Sequence, residues 1–409
     1  LTLTLADIAT AAQQIAGAVA RTPAVAATGL AEVAPTAGLV LKLENLQVSG
    51  SFKARGALVR LLALPPLERQ RGIIAMSAGN HAQGVAWHAR RLGIPATIVM
   101  PRITPFTKVE RTEALGARVV LEGDGLSEAE AYARGVADAE NFVFIHPYDD
   151  AHIIAGQGTI GLEILADCPD LDVLVVPVGG GGLIAGIAIA AKTLKPGIQI
   201  IGVQANAYAT MTRRPPILSI PAASLQTLAE GIAVKRPGTL TRPIIDALVD
   251  DVVSVDETGI ERAVELLVER QKIVAEGAGA ASLAALLAEP GRYAGRKVGL
   301  IVSGGNIDNR LMASILMRGL VRAGRLARLR IEISDAPGTL AMVASLIGAN
   351  GGNILEVYHQ RLFQDVPVKY AELDAVVEAT DTGHILAMID ALGAAGYPTR
   401  LLGSSATGE

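Results

Sequence analysis

The sequence predicts an α/β region followed by a small α+β domain, and three observations carry that prediction. Between about Leu39 and Asn306, short β-rich runs alternate with helical stretches, the pattern of a mostly parallel sheet covered on both faces. Three glycine-rich turns each follow an apolar, strand-like run: Ser77-Ala78-Gly79-Asn80-His81, Gly179-Gly180-Gly181-Gly182-Leu183 and Ser303-Gly304-Gly305-Asn306. In open α/β sheets ligands sit outside the carboxyl ends of strands, so these turns are predicted to line one crevice. After about Gly324 the order changes to strand, helix, strand, strand, helix, strand.

Strands are predicted at 73–76, 96–100, 173–176 and 298–302, the third stopping at Pro177. Each is a short apolar run bounded by turn residues. Gly93 and Gly116 are placed as C-terminal caps of the helices before them. Lys53 stands at a predicted helix start, behind Val48-Ser49-Gly50. Further on, Leu329, Ile331 and Ile333 alternate as a strand, and Asp335 is expected to cap a helix opened at Pro337. Leu340, Val343, Ala344 and Ile347 fall on one face of that helix, which Asn350-Gly351-Gly352-Asn353 ends. Strands at 354–361 and 368–377, a helix opened by Asp381 and a last strand at 398–402 complete a βαββαβ order.

A chain of 409 residues is long enough for two or three domains. With 50% hydrophobic but only 3% aromatic residues, its cores must be aliphatic. A formal charge of −4 and the lack of a basic run give no reason to expect nucleic-acid binding. The single cysteine, Cys168, excludes an intrachain disulfide framework and a Cys-rich metal site. No apolar stretch approaches the length of a membrane span, and the first residues lack the basic segment of a signal peptide, so a cytoplasmic protein is expected.

Lys53 matters because a lysine amine forms a Schiff base with an aldehyde, although most lysines near a helix start are merely solvated. Four successive glycines at 179–182 let backbone N–H groups converge on a phosphate ahead of a helix. A Walker A loop is excluded because Leu183-Ile184 stands where Lys-Ser/Thr is required. A loose dinucleotide pattern is present, yet the strand at 198–203 ends at Gln204, without the acid that holds a ribose. A small phosphate-bearing cofactor is favoured. Ser77–His81 suits a carboxylate or a cofactor oxygen, and Ser77 or Asn80 equally suits a helix cap. Asn306 or Asp308 has the same ambiguity. Glu276, in Ala275-Glu276-Gly277-Ala278-Gly279, is balanced between the crevice and a solvated helix start. The histidines show no metal-ligand spacing, and no metal site is expected.

Taken together, Ser51-Phe52-Lys53-Ala54-Arg55-Gly56, Ser77 to Gly84, the tetraglycine turn and Ser303-Gly304-Gly305-Asn306 resemble the serine/threonine dehydratases, pyridoxal-phosphate (PLP) enzymes of fold type II. The segment Glu230-Gly231-Ile232-Ala233-Val234-Lys235-Arg236-Pro237-Gly238 resembles the threonine dehydratase branch, which usually has Asp in place of Glu230. Residues from about Arg328 onward resemble a single ACT domain, an amino-acid-sensing module. The resemblance implies two open twisted sheets in a catalytic region at 1–325, with a smaller subdomain at about 45–150 inserted in the larger. An ACT-like regulatory domain would occupy 326–409.

The resemblance also implies roles. Lys53 would hold PLP as a Schiff base and take the substrate Cα proton. Phe52 would pack beside the ring, and Asn80 would bond its 3′-oxygen. Gly179, Gly180, Gly181, Gly182 and Leu183 would cradle the phosphate, and Ser303 would face the pyridine nitrogen. Ser77, Ala78, Gly79, Asn80 and His81 would grip the substrate carboxylate. The implied reaction is β-elimination from L-threonine, and from L-serine, to 2-oxobutanoate or pyruvate and ammonia. Alternatives are a serine or 3-hydroxyaspartate dehydratase and a serine racemase. Racemases usually carry a second serine at Ala78 and a metal-binding Glu set where Gln204, Tyr208 and Thr210 stand, which disfavours the last. From a different class, a non-catalytic amino-acid sensor competes, although Lys53 is retained. The ACT-like region implies a homo-oligomer, dimer or tetramer, and an isoleucine or valine effector at Asp335, Gly338, Asn353, Ile354 and Leu355.

Overall fold

Ten strands form two sheets in the first part of the chain, which in this computed structural model is described over residues 3–212, 226–360 and 369–402. They are β1 (Ala24–Ala26), β2 (Gly38–Leu43), β3 (Ile73–Met76), β4 (Ala96–Met100), β5 (Arg118–Leu121), β6 (Val143–Phe144), β7 (Val173–Pro177), β8 (Gln199–Ala205), β9 (Asp251–Val255) and β10 (Lys297–Val302). The larger sheet runs β1-β2-β10-β7-β8-β9, parallel except for β1. The smaller, β5-β4-β3-β6, is wholly parallel. Valine and isoleucine dominate the buried strands, as sheets covered on both faces require. The chain divides into two units, Leu1–Ile307 and Asp308–Glu409, so the helix Asn309–Arg322 is counted with the second, ahead of the boundary expected at 325. Among the described residues no helix is long and apolar enough to cross a membrane.

Lys53 opens the helix Lys53–Leu62, which is buried along most of its length. It packs against the helix Ala151–Asp167 so closely that a Cβ on Gly156 would lie 2.5 Å from the Gly56 Cα. Only paired glycines permit that approach. Two residues into the lysine helix, Arg55 enters a largely buried charge cluster. Its guanidinium reaches both oxygens of Glu44 at 2.8 Å and those of Glu163 at 2.6 and 2.8 Å. Lys42 donates to Glu163 at 2.5 Å and to the Thr22 carbonyl at 2.6 Å. Two cations thus face two carboxylates, tying β2, the lysine helix and the helix Ala151–Asp167 together. Burial works to raise the Glu163 carboxyl, and the Arg55 and Lys42 bonds overcome it and hold it below its ordinary range.

The second unit has β11 (Leu326–Ser334), β12 (Asn353–Gln360), β13 (Tyr370–Glu378) and β14 (Thr399–Leu402) in the antiparallel order β12-β13-β11-β14. With the helices Thr339–Ala349 and Thr382–Ala394 this is the expected βαββαβ order. Residues 361 and 368, placed at strand ends from the sequence, lie outside the described residues. Leu329, Ile331 and Ile333 join Val343, Ile347, Ile385 and Met388 in the core. On the other sheet face, buried Asp374 takes bonds from Arg328 at 2.6 Å and Arg330 at 2.7 Å, which hold its carboxyl low. One local prediction needs correcting. The first helix is opened by Gly338, at φ 89, rather than capped by Asp335, because the left-handed turn delays helical geometry until Thr339. Thr339 is therefore buried and Leu340 is 40% exposed.

Arg55→Met should cost about 3–5 kcal/mol of unfolding free energy, because it leaves the buried Glu44 carboxylate without its cation and Glu163 with Lys42 alone. Chemical denaturation of the variant and the native chain measures the difference.

Candidate active site

Each element that ends at the carboxyl edge of a parallel strand delivers one piece of the site. β2 leads through two short 3-10 turns into Ser51-Phe52-Lys53, β3 into Ser77–Asn80, β7 into the tetraglycine turn and β10 into Ser303–Asn306. Backbone pairing joins the first and last of these. Ser51 bridges Gly304, the Phe52 N–H donates to the Ser303 carbonyl at 3.1 Å, and the Gly305 N–H donates to the Gly50 carbonyl at 3.0 Å. Ser303, itself buried, is thereby fixed beside the lysine.

The Lys53 amine lies 5.2 Å from the Phe52 ring centroid and donates to the Pro147 carbonyl at 2.7 Å. Burial pushes its pKa down to about 8, against the pull of the Glu276 charge. Pro147 belongs to a segment that sequence reasoning missed. His146 Nδ1 accepts from the Asp149 N–H at 2.8 Å, curling this loop. The Tyr148 ring fills the space a Cβ on Gly180 would need, at 2.3 Å. Asp149 accepts from Thr239 and Leu240 at 2.8 Å, and Thr241 Oγ1 donates to the Gly180 carbonyl at 2.6 Å. Asp149-Asp150 ahead of an apolar helical run was a readable cap signal, and Asp150 does cap the helix Ala151–Asp167. The Pro147 carbonyl is a backbone atom with no sequence signature.

The tetraglycine turn has the geometry its glycines imply. Gly181 sits at φ 99 and a helix starts at Gly182. With the Gly180 carbonyl taken by Thr241 and Gly238, the N–H groups of Gly182, Leu183 and Ile184 form the first turn and have no intrahelical acceptor. Such a helix start suits a phosphate.

At β3, the helix Asn80–Leu92 is capped by Gly79 and by neither Ser77 nor Asn80. Ser77 Oγ instead accepts from the Gly79 N–H at 3.1 Å, and Ala78 is half-buried beside it. His81 turns inward to the Ile145 carbonyl at 3.0 Å, and burial, with Lys53 nearby, pushes its pKa down to about 3. It offers a ligand only its backbone N–H. Asn80 donates to Glu276 Oε1 at 2.5 Å and accepts from Asn306 at 2.7 Å. Glu276 therefore faces the crevice, where burial pushes its pKa up to about 7 despite the Asn80 bond. Asp308 caps the helix Asn309–Arg322, leaving Asn306 to the site.

The expected effector residues divide. Asp335 and Gly338 line a cavity of about 330 Å³ with Pro337, Thr339 and His359. Asn353, Ile354 and Leu355 are not among its lining. Asn353 bonds Glu378 at 3.1 Å, Ile354 packs on the core, and Leu355 is exposed at an irregularity of β12.

A buried lysine amine with a lowered pKa, a phosphate-type helix start and a serine hydroxyl around one crevice define an enzyme that works through an aldehyde-bearing phosphorylated cofactor. The model of the pyridoxal-phosphate dependent enzymes matches residues 15–304, and this chain belongs to that family. It is 44% identical to the L-threonine ammonia-lyase of Thermotoga maritima over 98% of this chain and all of that one. Among solved structures, a threonine deaminase from T.th. is similar with a TM-score of 0.69 and 39% identity, over 75% of this chain and 99% of that one. Maize serine racemase is similar with a TM-score of 0.70 and 35% identity, over 79% and 99%.

In cofactor-stripped protein, Lys53 should react with a small aldehyde, trapped by borohydride, with a midpoint near pH 8. An ordinary lysine is only about 0.4% neutral at that pH. Mass spectrometry of the labelled peptide reads the profile. The sign for stability follows. The unfolded lysine binds its proton more tightly, so stability should rise with pH between about 8 and 10.5, and Lys53→Met should remove that rise.

Proposed function

We propose that this chain is a PLP-dependent L-threonine ammonia-lyase that also accepts L-serine. The observation that carries the reading is the 44% identity to an L-threonine ammonia-lyase along nearly the whole of both chains. PLP supplies an electron sink for the charge left when Cα loses its proton. The residues present fit it. Lys53 would hold its aldehyde carbon, Gly179 to Leu183 its phosphate, Asn80 its 3′-oxygen and Ser303 its pyridine nitrogen, with Phe52 beside the ring.

The work of the chain's own groups follows from their settings. The N–H groups at Asn80 and His81, with the Ser77 hydroxyl, orient the substrate carboxylate. Lys53, whose pKa is lowered to about 8, would take the Cα proton, with the fraction competent to do so rising through that pH. The β-hydroxyl would then leave as water with a proton, and a second water would convert the released enamine to 2-oxobutanoate and ammonia. Ser303 presents a neutral hydroxyl, so it does not hold the pyridine nitrogen protonated as a carboxylate would, which limits charge delocalisation and favours prompt elimination. Against the racemase reading, the Gln204 amide is spent on a local loop, accepting from the Met211 N–H at 2.8 Å and donating to Thr210 at 3.3 Å. A ketoacid-release assay across threonine, serine and 3-hydroxyaspartate tests the assignment. Turnover of none of them would overturn it.

The second unit supports a regulatory reading, that of an ACT-like domain binding isoleucine or valine at the Asp335–Gly338 cavity in a homo-oligomer. Such binding controls turnover only if it favours one catalytic state, with a coupling of about 1–3 kcal/mol. Calorimetry with both amino acids, and removal of residues 324–409, test it. No binding by the intact chain, with unchanged kinetics and assembly on truncation, would refute it.

Lys53→Ala should abolish nearly all turnover while leaving thermal stability within about 1–2 kcal/mol, since it removes both the anchor and the base. Ser303→Asp should slow elimination and lengthen the life of long-wavelength absorbing species, because a carboxylate there favours the protonated ring nitrogen. Stopped-flow absorbance separates that outcome from an unchanged enzyme.

A further inference from the structure

The orientation of an asparagine amide is normally ambiguous, because its oxygen and nitrogen are alike in shape. Here a chain of hydrogen bonds removes the ambiguity. It starts at the Ser49 carbonyl, which can only accept. Asn306 Nδ2 donates to that carbonyl at 2.7 Å and, with its other hydrogen, to Asn80 Oδ1 at 2.7 Å. Facing an amino group, Asn80 must present its oxygen, so its Nδ2 points the other way and donates to Glu276 Oε1 at 2.5 Å. Both ends of the Asn80 amide are thus oriented, with one N–H left on the Nδ2 end and one lone pair left on the oxygen that faces Asn306. The Ser49 carbonyl belongs to the lysine loop, where Ser49 at φ 63 and Gly50 at φ 73 hold a left-handed turn just ahead of Lys53. Room for the carboxylate is kept by Gly304, on which a Cβ would lie 2.4 Å from Glu276 Oε1.

We infer that Asn306 and Glu276 are positioning residues that bracket the Asn80 amide, fixing its orientation so that the Nδ2 end, with its remaining N–H, is the end offered to the cofactor. The inference rests on the proposed placement of PLP against Asn80. A fixed donor at that point recognises an anionic ring oxygen and rejects the reverse orientation of the amide, which would set oxygen against oxygen. Glu276 also carries charge into this bracket. The ionisable groups acting on it are Lys53, Glu230 and Lys108, and Lys108 itself pairs with Glu230 at 2.5 Å.

The test uses the holoprotein and reads the PLP dissociation constant, the position of the bound-cofactor visible band and its pH titration. Asn306→Asp places an acceptor against both the Ser49 carbonyl and Asn80 Oδ1, and should weaken PLP binding tenfold or more and shift the band. Asn306→Ala should do so by less. Glu276→Gln keeps an acceptor for Asn80 and should preserve the band position while altering its pH titration. Glu276→Ala should lose both. In an Asn80→Ala background, the Asn306 substitutions should change PLP affinity less than twofold, because they act through Asn80, whereas Glu276 also acts on Lys53 through its charge. Unchanged affinity and band in Asn306→Asp and Glu276→Ala, or effects of full size by the Asn306 substitutions in the Asn80→Ala background, would overturn the inference while leaving the cofactor reading intact. A native chain with no borohydride-sensitive visible band would overturn both.

Discussion

The structure around the lysine loop turns on one constraint: a lysine amine is kept from water without losing every partner. Lys53 meets that constraint with one bond, to the Pro147 carbonyl at 2.7 Å. Two effects oppose each other there. Burial favours the neutral amine, the Glu276 carboxyl favours the charged one, and burial wins, leaving the pKa at about 8. The balance is sensitive to position, since both effects change steeply over an ångström or two. Much of the surrounding structure therefore serves to hold this amine in place.

Three devices do so. The glycine pair Gly56 and Gly156 presses the lysine helix onto its neighbour. The Arg55 cluster pins that helix through charges that cannot be left unpaired away from water. The Ser51–Gly304 bridge couples the residues before the lysine to the loop that carries Ser303. The 146–149 loop then links the amine to the phosphate-type turn, with Pro147 bonding one and Tyr148 lying on the other. These contacts draw loops from strands in two different sheets into one crevice, where strands of unlike position supply unlike chemistry.

In the second unit the same physics serves a different end. Buried Asp374 is neutralised by Arg328 and Arg330 across the sheet. The Asp335–Gly338 turn, by contrast, lines an open cavity of about 330 Å³. Residues 353–355, expected beside that turn as effector contacts, do not line the cavity, because nearness to a loop in sequence is not nearness in space. Strand pairing sends Asn353 to Glu378 instead, while His359, further along the same strand, reaches the cavity.

The sequence by itself determined the alternation of elements, the turns at the strand ends and the residue types they carry, because these depend on local periodicity and on glycine and cap chemistry. Lys53, the tetraglycine turn and Ser303 were legible for that reason, as was the βαββαβ order. Only the tertiary structure decided between cap and ligand. Gly79 takes the cap that Ser77 or Asn80 was free to take, Asp308 releases Asn306, and Glu276 turns to Asn80 from 196 positions away. It also turned His81 inward and brought in the Pro147 carbonyl. Orientation of a side-chain amide and the reach of a backbone carbonyl depend on which distant groups compete for the same hydrogen bond. No local pattern encodes that competition.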